Sequence, residues 1–379
     1  MVLDRRASLT RREFLSLAAA SLGSLALSPL GFEIPYASPA LLPDFPLADR
    51  LGRVAVGKVE IKVRPDPDSQ TVGVLYEDGV LPWIRETVGV RPALIFSNQR
   101  WVETPEGYIY GPYFQPVYNR PNQPVKQLPQ SSLGTGMWAE VTVPYAEAVL
   151  DRAASTNSWV EARLEQGQPL RVYYSQVFWI DQIKTDAQGR SYYRVNPNYY
   201  GGVDMLWAAA EAFRPISAEE LSTINPESSQ KWIQVDARDQ RQVLSCYEGK
   251  SEVYFCRVST GAKYDMFGNI VDKWVTPVGT HRITRKYLSL QMSGGTTGAG
   301  YDLPGIGWTS IFATGGVAIH STHWHNNFGD PVSHGCVNCS PEDARWIWRW
   351  TQPGVQCDPG MLDVTLTGED STRVEVIEG

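Results

Sequence analysis

Hydrophobic and polar positions alternate in short runs along most of this chain, with turn formers between them. In VEIKVRPDPDSQTVGVLYEDGV, Val59, Ile61 and Val63 fall on one face of an extended strand. Pro65–Asp68 then turns the chain, and the alternation resumes at Val72 and Val74. QRWVETPEGYIYGPYFQPV predicts two further strands around Pro105–Gly107. Residues 51–119 therefore read as a first β module, with a proline-rich linker over 38–50 before it and a Pro-, Gln-, Asn- and Ser-rich linker over 120–136 after it.

The same texture returns in MWAEVTVPY, QPLRVYYSQVFWIDQIKTD and GRSYYRVNP, with Asp186–Gly189 as a hairpin turn. GVDMLWAAAEAFRPIS fits a short helix or a last strand. A second β module over 137–216 follows, and Gly189-x-x-Tyr192-Tyr193 loosely echoes the first module, as a divergent repeat would. Residues 217–230 are polar and mark a boundary. From 231 to 370 a third region begins strand, turn, strand, turn, strand, with Glu248-Gly249-Lys250-Ser251 as a hairpin tip. A regular hairpin with that tip sets Cys246 opposite Val253 and Cys256 opposite Val243, so these two cysteines do not pair across it.

One helix is well signalled. Ser340 suits the N-cap, Pro341 the first helical position, and Glu342 and Asp343 the first turn. Ala344, Ile347, Trp348 and Thr351 share a face, and Pro353-Gly354 ends the run. The expected fold class is mainly β.

Composition narrows the functional classes. At 379 residues and 42% hydrophobic, the chain can build two or three cores. Its formal charge of -7 makes it a poor partner for nucleic acid. No stretch beyond the N-terminus is long and apolar enough to span a membrane. Residues 1–37 differ: Thr10-Arg11-Arg12-Glu13-Phe14-Leu15 precedes a mild apolar run broken by Gly23, Ser24 and Ser28. This resembles a twin-arginine export signal, with small residues for cleavage in PYASPA, and predicts an exported protein. The five cysteines make an odd count, so a free thiol is expected; the other four could form up to two disulfides.

Chemistry concentrates in one stretch. Four of the five histidines lie between His320 and His334, and Cys336 follows in VSHGCVNCSPEDARW. A cysteine attacks as its thiolate, so it needs a base within reach and amide donors for the oxyanion. Gly335 lets the backbone approach a substrate, and the amides of His334, Gly335 and Cys336 could point into one site. His320, at the end of the apolar run Val317-Ala318-Ile319, is the stronger candidate base; His334 is close enough in sequence to compete. His323 and His325 alternate around Trp324 and are expected beside the cleft. The rival reading is zinc, held by His320, His323, His325 and Cys336, which would consume the nucleophile.

IHSTHW…SHGCVN, together with RVSTG at 257–261 and TPVGTHRI at 276–283, resembles the signature of L,D-transpeptidases of the YkuD type, over about Lys231 to Leu366. The resemblance implies a β-sandwich catalytic domain, preceded here by modules that resemble bacterial SH3-type barrels. It implies that Cys336 is acylated, His320 is the general base, and the Ser321 carbonyl orients that base. His334, Gly335 and Cys336 match the oxyanion segment, Ser333 and Asn338 match site-shaping positions, and Trp324 matches an aromatic wall. No cofactor and no metal are implied. The implied partners are peptidoglycan stem peptides, with carbapenem-type β-lactams as inhibitors. The His320-to-Ser333 gap is short, and His281 stands where Phe or Tyr is usual. MSGGTTGAGYDLPGIGW, 292–308, is the expected flap. The chemistry so implied is acylation by a tetrapeptide stem with loss of the terminal D-alanine, then aminolysis to a 3→3 cross-link. Hydrolysis by water, as in an L,D-carboxypeptidase, and a non-catalytic wall-binding role are the alternatives.

Overall fold

The first and last strands of the first β module pair with each other. Leu51–Val54 lies between Phe114–Val117 and Val80–Pro82 in a three-stranded sheet. A second sheet orders Thr71–Tyr76, Lys58–Lys62, Gly107–Tyr110, Arg100–Thr104 and Arg85–Val88. This is a computed structural model; it describes residues 41–378 apart from 92–96, 153–154, 156, 198–203, 240, 265–268, 271–273 and 295–300. The twin-arginine segment at 1–37 lies outside the described residues.

Val54, Val59, Ile61, Trp83, Val102, Ile109 and Phe114 form this module's core. The alternation from Val59 does not run through to Val63. A register shift between Ile61 and Lys62 inverts the pattern, so Lys62 is buried and Val63 is 47% exposed. Val72 and Val74 are exposed as well, because their strand turns that face to solvent.

The second module is a seven-stranded antiparallel sheet. Its order is Leu170–Tyr173, Tyr145–Leu150, Leu206–Ala209, Ser191–Asn196, Val177–Thr185, Met137–Val141 and Phe213–Pro215. Asp186 and Gly189 close the expected hairpin through Gly189 N–H to the Asp186 carbonyl at 3.0 Å. The stretch after 202 holds both a strand and a helical turn: Leu206–Ala209, a 3₁₀ turn Ala210–Ala212, then Phe213–Pro215. The first module ends the same way, with Gly107–Tyr110, a 3₁₀ turn Gly111–Tyr113, then Phe114–Val117. In both, a buried phenylalanine opens the last strand, which pairs with the module's first. The strand Tyr145–Leu150 and the helix Ser158–Glu165 were not signalled by sequence pattern.

The two predicted linkers are not free spacers. Arg120 N–H bonds the Thr142 carbonyl at 2.9 Å, Asn122 N–H bonds the Glu211 carbonyl at 2.8 Å, and Leu128 is buried in the second module's core. Leu42 and Phe45 pack on that core too. A few apolar anchors in a polar, proline-rich segment suffice to dock it, and composition alone hides them.

The third region is a β-sandwich. One five-stranded sheet orders Ser251–Arg257, Val243–Glu248, Lys231–Asp236, Arg373–Ile377 and Gly279–Arg282. The other orders Val337–Cys339, Ala318–Ser321, Tyr301–Ile311, Arg285–Gly294 and Met361–Asp363. Ile233, Val235, Leu244, Leu288, Ile319, Val337 and Trp308 belong to the core they share. Arg373–Ile377 pairs in parallel with Lys231–Asp236, so the sandwich runs past residue 370. The helix Pro341–Trp350 buries Ala344, Ile347, Trp348 and Trp350, and its N-cap Ser340 accepts from Asp343 N–H at 3.2 Å.

The cysteines do not sit where a regular hairpin would put them. A bulge between Cys246 and Tyr247 sets Cys246 opposite Tyr254 and Cys256 opposite Leu244. All five cysteines are free thiols, with Cys246, Cys256 and Cys339 buried. The disulfides allowed by the count are therefore not formed.

Candidate active site

Two short parallel strands create the site. Ala318–Ser321 pairs with Val337–Cys339 so that His320 lies beside Asn338. Cys336 lies immediately before the second strand, two residues from Asn338. These residues line one cavity of about 330 Å³ with Trp324, Ser333 and His334. Cys336 thus precedes a strand, and that strand, not the loop, leads into the helix.

Backbone geometry at Cys336 is held by neighbours. Gly335 has φ of 119°, a conformation that side-chain-bearing residues rarely adopt. Its carbonyl accepts from the Thr276 hydroxyl at 2.8 Å, and that hydroxyl accepts from Gly261 N–H at 2.9 Å. Gly261 has no room for a side chain, since a Cβ there would lie 1.8 Å from the Trp274 carbonyl oxygen. Ser333 Oγ accepts from Gly335 N–H at 3.1 Å and donates to the Cys336 carbonyl at 2.5 Å. The Gly335 amide, expected among the oxyanion donors, is thereby committed to a side chain. Asn338 and Ser259 exchange backbone hydrogen bonds of 2.8 and 3.0 Å, which ties RVSTG to the site.

His320 is 2% exposed, and its Nδ1–H donates to the Ser321 carbonyl at 2.8 Å. A carbonyl only accepts, so the proton is on Nδ1 and the lone pair on Nε2. Burial lowers the ring's pKa to about 4, with the Ser321 carbonyl opposing. Burial also pushes the half-buried Cys336 thiol up to about 11, against a stabilising Ala318 N–H. Both groups are therefore neutral at pH 7, and the resting site holds no preformed thiolate–imidazolium pair.

The other histidines separate. His334 packs its ring 4.3 Å from Trp274 and 5.3 Å from Tyr301, centroid to centroid. His325 does line the cavity; its Nδ1 accepts from Asn327 N–H at 3.1 Å, and its Nε2 lies 2.9 Å from the Asn338 amide. His323 does not face the cleft as expected. It is buried and stacks on Tyr173 of the second module at 5.7 Å, because Arg53 holds its carbonyl from behind. His281 donates from Nε2 to the Pro277 carbonyl at 2.9 Å and packs on Phe312, away from the cavity lining. The proposed zinc set thus does not converge. Among the described residues no group of three or more His, Cys, Asp or Glu side chains is placed to hold a metal ion.

Sequence reasoning missed two sets of residues around this site. Met292, Tyr301, Leu303 and Ile306 form its apolar wall. They lie in the stretch expected to be a flap, whose flanks are the long paired strands Arg285–Gly294 and Tyr301–Ile311; its tip, 295–300, lies outside the described residues. The second set belongs to the first β module, which clamps the loop between His320 and Ser333. Arg53 Nη2 donates to the His323 carbonyl at 2.6 Å, and Asn326 Nδ2 donates to the Gly111 and Phe114 carbonyls at 3.1 Å each. Ser97 N–H donates to Asp330 at 3.0 Å, and Asn98 Nδ2 to the Phe328 carbonyl at 3.2 Å. No sequence signal marks such contacts.

A mainly-β chain with a two-sheet domain, and a cysteine and a buried histidine lining one cavity, defines a class of thiol-bearing domain. Residues 230–375 match the YkuD family model, described as the L,D-transpeptidase catalytic domain, so this part of the chain carries a YkuD-type domain. Among solved structures, an Enterococcus faecium L,D-transpeptidase C442S mutant is 19% identical over 39% of this chain and 50% of its own, with a TM-score of 0.29. An L,D-transpeptidase from Mycobacterium smegmatis is 17% identical over 66% of this chain and 98% of its own, with a TM-score of 0.30. L,D-transpeptidase 3 from Mycobacterium tuberculosis is 16% identical over 68% and 98%, with a TM-score of 0.29. The chain spans half the length of the Enterococcus protein. The family match, not these distant likenesses, carries the identification. No match was found among curated proteins.

Proposed function

We propose that this protein is a peptidoglycan L,D-transpeptidase with Cys336 as nucleophile. The observation that carries the reading is that Cys336 and His320 line one cavity of a YkuD-type domain, with the His320 proton held on Nδ1 by Ser321. His320 Nε2 removes the thiol proton as sulfur attacks the carbonyl between the third residue and the terminal D-alanine of a tetrapeptide stem. Starting from a neutral pair, proton transfer and attack proceed together once the substrate is seated. Backbone amides of the 334–336 segment other than that of Gly335 face the developing oxyanion. The imidazolium returns its proton to the departing amine, leaving a thioester. The amine of a second stem then attacks, loses its proton to His320, and restores the thiol, giving a 3→3 cross-link. Trp324 walls the cavity, Ser333 and Asn338 fix its floor, and the His334 ring fills the side under Tyr301.

The two β modules are SH3-like and related by repetition; the shared closing strand, 3₁₀ turn and buried phenylalanine support this. Export by the twin-arginine route would deliver the chain to the cell wall already folded, which suits five free thiols.

The test is intact-mass analysis of the full chain with a tetrapeptide stem and with a carbapenem. An adduct on wild type, absent from folded Cys336→Ala, is expected. Adduct formation in Cys336→Ala removes the assignment. Product analysis with and without an amine acceptor then separates transfer from hydrolysis; product from water alone would make the protein an L,D-carboxypeptidase.

A further inference from the structure

A second cleft, of about 750 Å³, opens between the first β module and the edge of the sandwich, away from the Cys336 cavity. Three arginines line it, Arg100, Arg241 and Arg257, and no acidic side chain does. The Arg257 side chain makes no hydrogen bond or ion pair among the described residues, while its backbone pairs with Val243. Arg241 reaches Asp236 only at 3.5 Å, and that carboxylate is held more closely by Arg238 at 2.7 Å. Arg100, largely buried, has its nearest carboxylate, Glu86, at 3.8 Å, and its guanidinium donates to the Asn326 carbonyl and to Asn98 Oδ1. Burial disfavours the charge on Arg100, Glu86 opposes this, and Arg257 adds to it. The cleft therefore holds more positive charge than its surroundings neutralise, in a concave site whose walls raise the field. Between the guanidinium groups lie Val88, 72% exposed, and Phe255, 56% exposed. Large apolar side chains beside the free guanidinium of Arg257 and the weakly held one of Arg241 fit a ligand with carboxylates on an aliphatic backbone better than a small inorganic anion.

We propose that this cleft is a second binding site, for a peptide bearing two or more carboxylates. Each carboxylate would take a two-pronged pair with one guanidinium, and the peptide's aliphatic part would cover Val88 and Phe255. Gly329, at the cleft's edge, belongs to the loop between His320 and Ser333, so an occupant would lie against the outer side of that loop. The proposal stands apart from the transpeptidase reading, since it needs no turnover.

The test uses the full chain with Cys336 blocked by iodoacetamide, titrated with fluorescently labelled acetyl-triglutamate at low salt. Triglutamine serves as the uncharged control and inorganic phosphate as the competitor. Saturable one-to-one binding of triglutamate, weakened by salt and absent for triglutamine, is expected. Arg257→Gln should weaken it roughly tenfold, the loss of one charge-assisted pair, and adding Arg241→Gln should abolish it. Both positions are exposed, and unchanged thermal unfolding of the variants confirms that the fold persists. Equal affinity in the double variant, or no saturable binding to wild type, overturns the site. Displacement by equimolar phosphate overturns the peptide assignment. None of these outcomes bears on acylation of Cys336, which the mass experiment reads separately.

Discussion

Arg53 joins all three structural parts of the chain, and its replacement by methionine makes a demanding test of that joint. The side chain is 3% exposed. It donates to Asp78 at 2.7 Å, to Gln115 Oε1 at 2.7 Å and to the His323 carbonyl at 2.6 Å, and lies 4.5 Å over the Tyr173 ring. Asp78, equally buried, also accepts from Arg171 at 2.6 Å. Breaking a buried ion pair and stranding its partner costs about 3–5 kcal/mol. Asp78 keeps Arg171, so its share falls below that range, to about 2–3 kcal/mol. The Gln115 and His323 acceptors each lose a charge-assisted bond, adding about 1–2 kcal/mol together after water or rearrangement recovers part. Arg53→Met should therefore destabilise the protein by about 3–5 kcal/mol in urea denaturation at pH 7. Arg53→Lys offers a point charge in place of a fork and should recover less than half of that. Because the two partners are coupled, Arg53→Met with Asp78→Asn should cost at least about 1 kcal/mol less than the sum of the single changes. A loss under about 1 kcal/mol for Arg53→Met, or strict additivity in the double variant, would refute the reasoning.

Three further outcomes follow from the site. With Cys336 near 11 and His320 near 4, alkylation of Cys336 by iodoacetamide should keep rising with pH through 8 and 9; a plateau established below pH 7 would reveal a preformed ion pair instead. His320 and His323 are buried with pKa values of about 4 and about 3 against an ordinary 6.5, so the unfolded chain binds these protons first as pH falls. Their contribution to stability is complete above about pH 6.5 and is lost on acidification, by about 2–3 kcal/mol per ring at pH 4; a urea midpoint flat from pH 7 to 4 would contradict this. Thr276→Val removes the hydroxyl that bridges Gly261 and Gly335, and should slow acylation by about 10–100-fold with Thr276→Ser near wild type; equal rates for both would show that the bridge does not position Cys336.

The parts of this chain that could be read from sequence are those governed by local rules. The Ser340–Pro341 helix start, the Asp186–Gly189 turn and the Glu248–Ser251 tip depend on backbone preferences of a few adjacent residues, and each is found in place. His320 and Cys336 were legible because a short signature with fixed spacing contains both. Errors begin where one residue shifts a register. The bulges after Ile61 and Cys246 move Val63 to the surface and change the cysteines' neighbours, and nothing in either strand's composition announces them.

Long-range polar contacts were wholly silent. Arg53 reaches a carbonyl 270 residues away, and Asn326 reaches the turn that closes the first module. Such bonds go to backbone oxygens, which every residue carries, so the acceptor leaves no trace in the sequence. Their position has a mechanistic meaning. His320 and Ser333 end the loop 322–330, and that loop is held from outside the sandwich by Arg53, Ser97, Asn98 and the carbonyls of Gly111 and Phe114. The strand pairing sets which residues share a face, but the path of the loop between them is set by the first module. A signature confined to the sandwich therefore names His320 and Cys336 without specifying the support that keeps Trp324 and His325 along the cavity wall. The first β module belongs to the architecture of the site as much as the paired strands beside His320 and Cys336.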